Sequence, residues 1–173
     1  IAKSIETKIK KELLELLKDD RSKYEEFYKA FGTGLKFGIY NDYGMNKDKL
    51  EDLVMFYSSK EKKLITLDEY VQKLNEDNKN IYYCSGETID KIDMLPQVEN
   101  IKDKHEVLYL TDYVDEFAIM ALREYKGKTF VNVANESTDL STEEEKEKIK
   151  KENETNKSML DEMKDILEGS VTE

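Results

Sequence analysis

From Ser4 to Lys18 apolar residues recur every three or four positions, at Ile5, Ile9, Leu13, Leu16 and Leu17, with charged residues filling most of the other faces. That spacing predicts an amphipathic helix. Asp19-Asp20 interrupts it, and Ser22 followed by Glu25 is a capping-box pattern that predicts a restart, with Tyr24, Phe27, Tyr28 and Phe31 as an aromatic stripe on the second helix. Gly32 and Gly34 loosen the pattern; Leu35 to Tyr40 reads as a continuing helical turn before a loop at Asn41 to Gly44. Asn46 is placed to cap a helix carrying Leu50, Leu53, Val54 and Tyr57, and Ser58 to Lys63 reads as a charged loop. Leu64-Ile65 is too short to assign. Thr66 with Glu69 forms another capping box, before a helix with Leu67, Tyr70, Val71 and Leu74 on one face.

The pattern changes between Asn80 and Asn135. Three short apolar runs, Ile81 to Cys84, Val107 to Leu110 and Thr129 to Ala134, alternate with helical patterns, which reads as βαβαβ with right-handed crossovers. Ser85-Gly86 makes the first strand-to-helix turn, Ile89 and Ile92 face inward, and Pro96 divides that helix from one carrying Val98 and Ile101. A further helix is predicted from Val114 to Tyr125, with Val114, Phe117, Ala118, Ala121, Leu122 and Tyr125 on its apolar face and Gly127 as its stop. After Leu140, Ser141 and Glu144 are placed to cap a helix, but Ile149 is the only large apolar residue from Ser141 to Asn156, so a solvated helix or linker is expected. Met159, Leu160, Met163, Ile166 and Leu167 then form a stripe on a final helix that needs a partner surface. The expected fold class is α/β, or α+β overall: an N-terminal helical coil over residues 1–77, a small three-layer αβα unit with a short, mainly parallel sheet over 78–139, and a charged linker with a C-terminal helix over 140–173.

Composition narrows the possibilities. Of 173 residues, 39% are charged and 38% hydrophobic, with mean hydropathy −0.77, so the apolar groups must be concentrated in stripes on an elongated molecule. A net charge of −11 and a pI near 4.8 repel phosphate backbones, so nucleic acid is not an expected partner. Cys84 is the only cysteine, which rules out an internal disulfide and suits a reducing, cytoplasmic setting. No run approaches a membrane-spanning length, and Ile1 to Lys11 is too charged for a signal peptide, so no membrane partner is expected. A start at Ile1 within a helical pattern suggests a piece of a longer protein.

Candidate chemistry at the strand ends is sparse. The Ser85-Gly86-Glu87 turn has one glycine and an acid where a phosphate would approach, which reads as a structural turn. Asp112, Asp115 and Glu116 follow a strand, as divalent-cation ligands do in some signalling and enzyme domains, and also as plain helix caps do. His105, the single histidine, lies among charges in Lys102 to Glu106 and is a weak catalytic candidate, and Cys84 sits inside an apolar strand where an inert thiol is expected. Tyr113, Phe117 and Met120 combine aromatic and flexible thioether groups beside acids, a mixture suited to contact with varied, partly unfolded chains. Periodicity alone also permits Phe117 to be plain core.

Several short motifs occur in a particular order: Phe27-Tyr28-Lys29-Ala30-Phe31-Gly32 with Leu35-Lys36, Phe56-Tyr57-Ser58-Ser59, and Thr66-Leu67-Asp68-Glu69-Tyr70-Val71. Ile81-Tyr82-Tyr83 with Gly86-Glu87-Thr88 follows, then Glu106 to Leu110, Asp115-Glu116-Phe117 and Tyr125-Lys126-Gly127-Lys128. In this order and spacing they resemble the middle domain of the ninety-kilodalton heat-shock protein chaperones of the bacterial type, over about Ile5 to Leu167. The resemblance implies the latter part of that domain and the first helix of the next, within a homodimeric, ATP-dependent chaperone that dimerises through residues beyond Glu173. ATP and magnesium are then held upstream, no cofactor or catalytic residue is expected in this chain, and the partners are unfolded or partly folded client proteins, with co-chaperones. The family's client-contact region maps onto Glu116, Phe117 and Met120. The family's ATPase-completing arginine is expected near the N-terminal end, where Ala2 stands and Arg21 is the first arginine. Tyr113 stands where the family carries proline, Leu95 where it usually has serine before Pro96, and Phe117 where Trp or Tyr is frequent.

Overall fold

A computed structural model of the chain describes residues 2–75 and 78–135. The expected linker and the helix carrying Met159 to Leu167 lie outside the described residues. The elements run α1 (Ala2–Asp19), α2 (Arg21–Asn41), α3 (Lys47–Leu50), β1 (Met55–Ser58), β2 (Leu64–Thr66), α4 (Leu67–Gln72) and β3 (Asn80–Ser85). They continue as α5 (Ile89–Asp93), α6 (Pro96–Lys102), β4 (Val107–Leu110), α7 (Asp115–Leu122), β5 (Glu124–Tyr125) and β6 (Lys128–Asn132).

The strands form one sheet in the order β2-β1-β4-β3-β6-β5. Its centre is the expected parallel unit, β3 pairing with β4 on one side and β6 on the other. All four residues of β4 are buried, as a strand covered on both faces requires. Leu108 and Leu110 join the larger core with Ile39 of α2 and Ile119 and Leu122 of α7, while Tyr109 points the other way and donates to Asp93 of α5. Helices therefore lie on both faces, giving the three-layer arrangement.

Both sheet edges depart from the sequence reading. The helix expected through Leu53, Val54 and Tyr57 ends at Leu50, and Met55 to Ser58 is a strand between β2 and β4, antiparallel to both. Leu53, Val54, Met55 and Phe56 are consecutive and all buried, which one face of a helix cannot accommodate. Residues before 78 are thus not all helical: they supply a hairpin to the sheet. At the other edge α7 stops at Leu122, because Arg123 takes φ 64°, and Tyr125 belongs to a strand. Gly127 is a hairpin residue, not a helix stop: Lys126 and Gly127, with φ of 48° and 74°, form the two-residue turn between β5 and β6. The cap of α2 is also displaced, since Asp20, not Ser22, accepts from the Lys23 amide. The Thr66–Glu69 capping box forms in full.

Buried tyrosines brace the layers, each hydroxyl finding a partner as burial demands. Tyr24 donates to the Leu53 carbonyl at 2.5 Å, and Tyr28 both donates to the Met55 carbonyl at 2.9 Å and accepts from its amide at 2.8 Å. Tyr70 donates to the Glu106 carbonyl and accepts from the Tyr82 amide, joining α4 to β3 and to the residue that leads into β4. Leu13, Leu14, Leu16 and Leu17 of α1 close the smaller core around Tyr24, Tyr28, Leu53 and Met55.

Candidate functional site: an exposed aromatic surface where two helices meet

α7 leaves β4 through a compact knot. Asp115 accepts from the Asp112 amide at 3.1 Å, and its own amide donates to the Asp112 carbonyl at 3.0 Å. Lys36 of α2 reaches this knot through the core. Its ammonium lies 4.8 Å from the Phe56 ring centre and 5.8 Å from that of Tyr28, and makes salt bridges to Asp115 at 2.5 Å and Asp112 at 3.5 Å. Lys36 is only 4% exposed and Asp115 2%. Burial raises the Asp115 carboxyl above its ordinary value even though Lys36 pulls it down.

The other end of α7 is held by the turn after α2. Lys47 donates to the Leu122 carbonyl at 2.9 Å, supplying a cation to a helix C-terminus. Gly44, at φ 79°, approaches so closely that a Cβ there would lie 2.6 Å from the Ala121 carbonyl oxygen. With both ends fixed, α7 buries Ala118, Ile119 and Leu122 and turns Phe117 and Met120 outward.

Phe117 is 46% exposed and Met120 69% exposed. The core reading of Phe117 is therefore wrong: the buried side of α7 is displaced from that expected, with Ile119 in place of Phe117. The Phe117 ring packs against Tyr40 of α2 with centroids 5.1 Å apart, and Tyr40 meets Phe37 edge-on at 6.3 Å. Glu116 accepts from the Ser85 hydroxyl at 2.5 Å, tying the start of α7 to the end of β3. Phe37 and Tyr40 escape the sequence reading, although both fall off the stripe of Tyr24, Tyr28, Gly32, Lys36 and Ile39 that α2 buries. An aromatic residue off the buried stripe is the signal that could have found them.

The cation reading of Asp112, Asp115 and Glu116 is overturned. A lysine ammonium already occupies the position between the two aspartates, Glu116 turns to Ser85, and among the described residues no acidic, His or Cys group converges to hold a metal. The strand ends do not fit a nucleotide either, since Glu87 and Glu116 stand where phosphates would approach and would repel them. Arg21 is engaged internally, by Glu25 at 3.0 Å, Glu69 at 2.7 Å and the Leu64 carbonyl at 2.7 Å. The Cys84 thiol is buried and pushed up by that burial, and the His105 ring lies 4.9 Å from that of Tyr82.

The family model for Hsp90 protein matches residues 1–173. The chain belongs to the Hsp90 family. Chaperone protein HtpG of Clostridium acetobutylicum is 54% identical over 174 residues, covering 100% of this chain and 28% of that protein. HtpG of Bacillus subtilis is 51% identical over 172 residues, again covering 28% of its length. The chain thus spans little more than a quarter of these Hsp90 relatives and is of the bacterial HtpG type. Among solved structures, the middle domain of a Plasmodium falciparum heat shock protein matches with TM-score 0.69 and 32% identity, over 77% of this chain and 56% of that one. The described fold is accordingly that of an Hsp90 middle domain.

Proposed function

We propose that this chain is the client-contacting part of the middle domain of an ATP-dependent chaperone, binding unfolded or partly folded proteins through Glu116, Phe117 and Met120. ATP hydrolysis, with its magnesium, belongs to a domain outside the chain, dimerisation to residues beyond Glu173, and residues 140–173 serve as the link to the domain that follows. A cytoplasmic location and exchange with co-chaperones accompany this reading. The observation that carries it is the outward placement of Phe117 and Met120 on a helix pinned at both ends. Exposed aromatic and thioether groups on a rigid support bind varied apolar segments with little loss of their own freedom.

Phe117→Ala tests the reading. Because the ring is half exposed, the variant should stay folded, with a loss well below the roughly 3 to 5 kcal/mol of a core phenylalanine. Its affinity for an unfolded client should fall about five- to tenfold, the scale of an aromatic anchor. Unchanged affinity in a folded variant would reject the assignment.

A further inference from the structure

Exposed apolar surface on the described residues is concentrated in one region. Of eleven exposed large hydrophobic side chains, seven belong to the last part of α2, the turn after it, or residues 113–120. The rings are also continuous across the helix boundary, because Tyr40 touches Phe117 on one side and Phe37 on the other. We propose that the contact surface extends from α7 across Tyr40 and Phe37 of α2 to Tyr43 and Met45, and that it selects extended segments combining apolar with basic side chains. This deepens the client-binding reading and rests on it.

The first argument is rigidity. α2 and α7 are joined through the core by Lys36 and Asp115, and Gly44 lies against the end of α7. Tyr43 beside it is held at φ 57°, a conformation that costs a bulky residue energy, yet its ring is turned to solvent. Core packing gives no reason for an aromatic side chain there. A preformed row of rings loses little freedom on binding.

The second argument is charge. Lys36, the cation at the α2–α7 junction, is buried and neutralised by Asp115, and Lys47 is directed to the Leu122 carbonyl. The exposed charges at the start of α7 are the carboxylates of Asp112 and Glu116, on a chain of net charge −11; at its other end, on the side of the turn that carries Tyr43 and Met45, the exposed Arg123 is followed by the exposed Glu124. A Lys or Arg in the bound segment can sit over the Tyr40 or Phe37 face and beside Glu116, where an acidic segment is repelled.

The test is an NMR titration of the 173-residue chain, labelled at methionine methyls and aromatic rings, with two peptides of about twelve residues sharing the same leucines and phenylalanines. One carries lysines and arginines between them, the other glutamates. Saturable shifts at Phe37 and Tyr40 as well as Phe117 and Met120, with the basic peptide binding about tenfold more tightly and Tyr40→Ala removing most of that binding at unchanged melting temperature, support the proposal. Shifts confined to Phe117 and Met120 overturn the extension and leave the α7 reading standing. Equal affinity for both peptides overturns the charge selection, and silence at all four residues removes the client reading as well. Concentration-dependent shifts at these residues without peptide would make a second copy the occupant and overturn the proposal.

Discussion

The Lys36 ammonium and the Asp115 carboxylate meet 2.5 Å apart inside the protein, joining α2 to the start of α7. Lys36→Met leaves Asp115 buried without its cation, and should cost roughly 3 to 5 kcal/mol in urea unfolding. The double variant Lys36→Met/Asp115→Asn removes both charges and keeps an oxygen for the Asp112 amide, so it should recover most of that loss. The penalty of the single variant should also shrink on acidification. Burial already raises the Asp115 carboxyl, and without Lys36 it rises further, so the acid takes up its proton and loses its buried charge at a higher pH. A double variant no more stable than the single one would sink this account.

Asp52 carries the opposite shift. Burial acts to raise its carboxyl, but Lys10 of α1 at 2.7 Å and the Tyr125 hydroxyl at 2.8 Å outweigh that and hold it below its ordinary value. The resulting stability is complete above the unfolded value of about 4 and is lost as pH falls through the lower folded value. Asp52→Asn should cost up to about 1 kcal/mol at neutral pH, the bond being partly solvated, and almost nothing near pH 2. Paired denaturant titrations at the two pH values decide it; an equal deficit at both would show that charge is not what matters.

Tyr28→Phe separates two effects at the junction of α2 and β1. The ring remains in the core, but the Met55 amide and carbonyl both lose the hydroxyl between them. Leaving these buried groups without that partner should cost about 1 to 3 kcal/mol. Hydrogen exchange at the Met55 amide should accelerate more than at Leu108, deeper in the sheet. Unchanged protection at Met55 would contradict the bracing role.

Much of this architecture is legible in the chain, for reasons that differ by element. The central strands announce themselves as unbroken apolar runs, and the Thr66–Glu69 box is a local chemical signal that needs no tertiary context. β1 is hidden because Leu50, Leu53, Val54 and Tyr57 also fit a helical spacing, and only pairing with β2 and β4 decides between the two. β5 is two residues long and carries no period at all. Glu116, Phe117 and Met120 are marked by the motif around them, and all three fall in the first turns of α7, with Phe117 and Met120 turned outward. Tyr40 is not marked, because its neighbour Phe117 is remote in sequence. Lys36 reads as a surface residue until Asp115 is seen beside it.

Gly44 and Gly127 separate backbone strain from collision. Both have positive φ, 79° and 74°, so alanine at either position incurs a conformational penalty of roughly 1 to 2 kcal/mol. At Gly127 nothing lies within 4 Å of the added carbon, and that penalty should be the whole effect. At Gly44 the carbon would stand 2.6 Å from the Ala121 carbonyl oxygen, a backbone atom that cannot rotate away. Gly44→Ala should therefore melt well below Gly127→Ala. By displacing the end of α7 it should also perturb the Met120 methyl resonance, which Gly127→Ala should leave in place. Equal melting temperatures with an unmoved Met120 signal would mean that the turn after α2 does not set the position of α7, and the rigidity attributed to the aromatic surface would lose its basis.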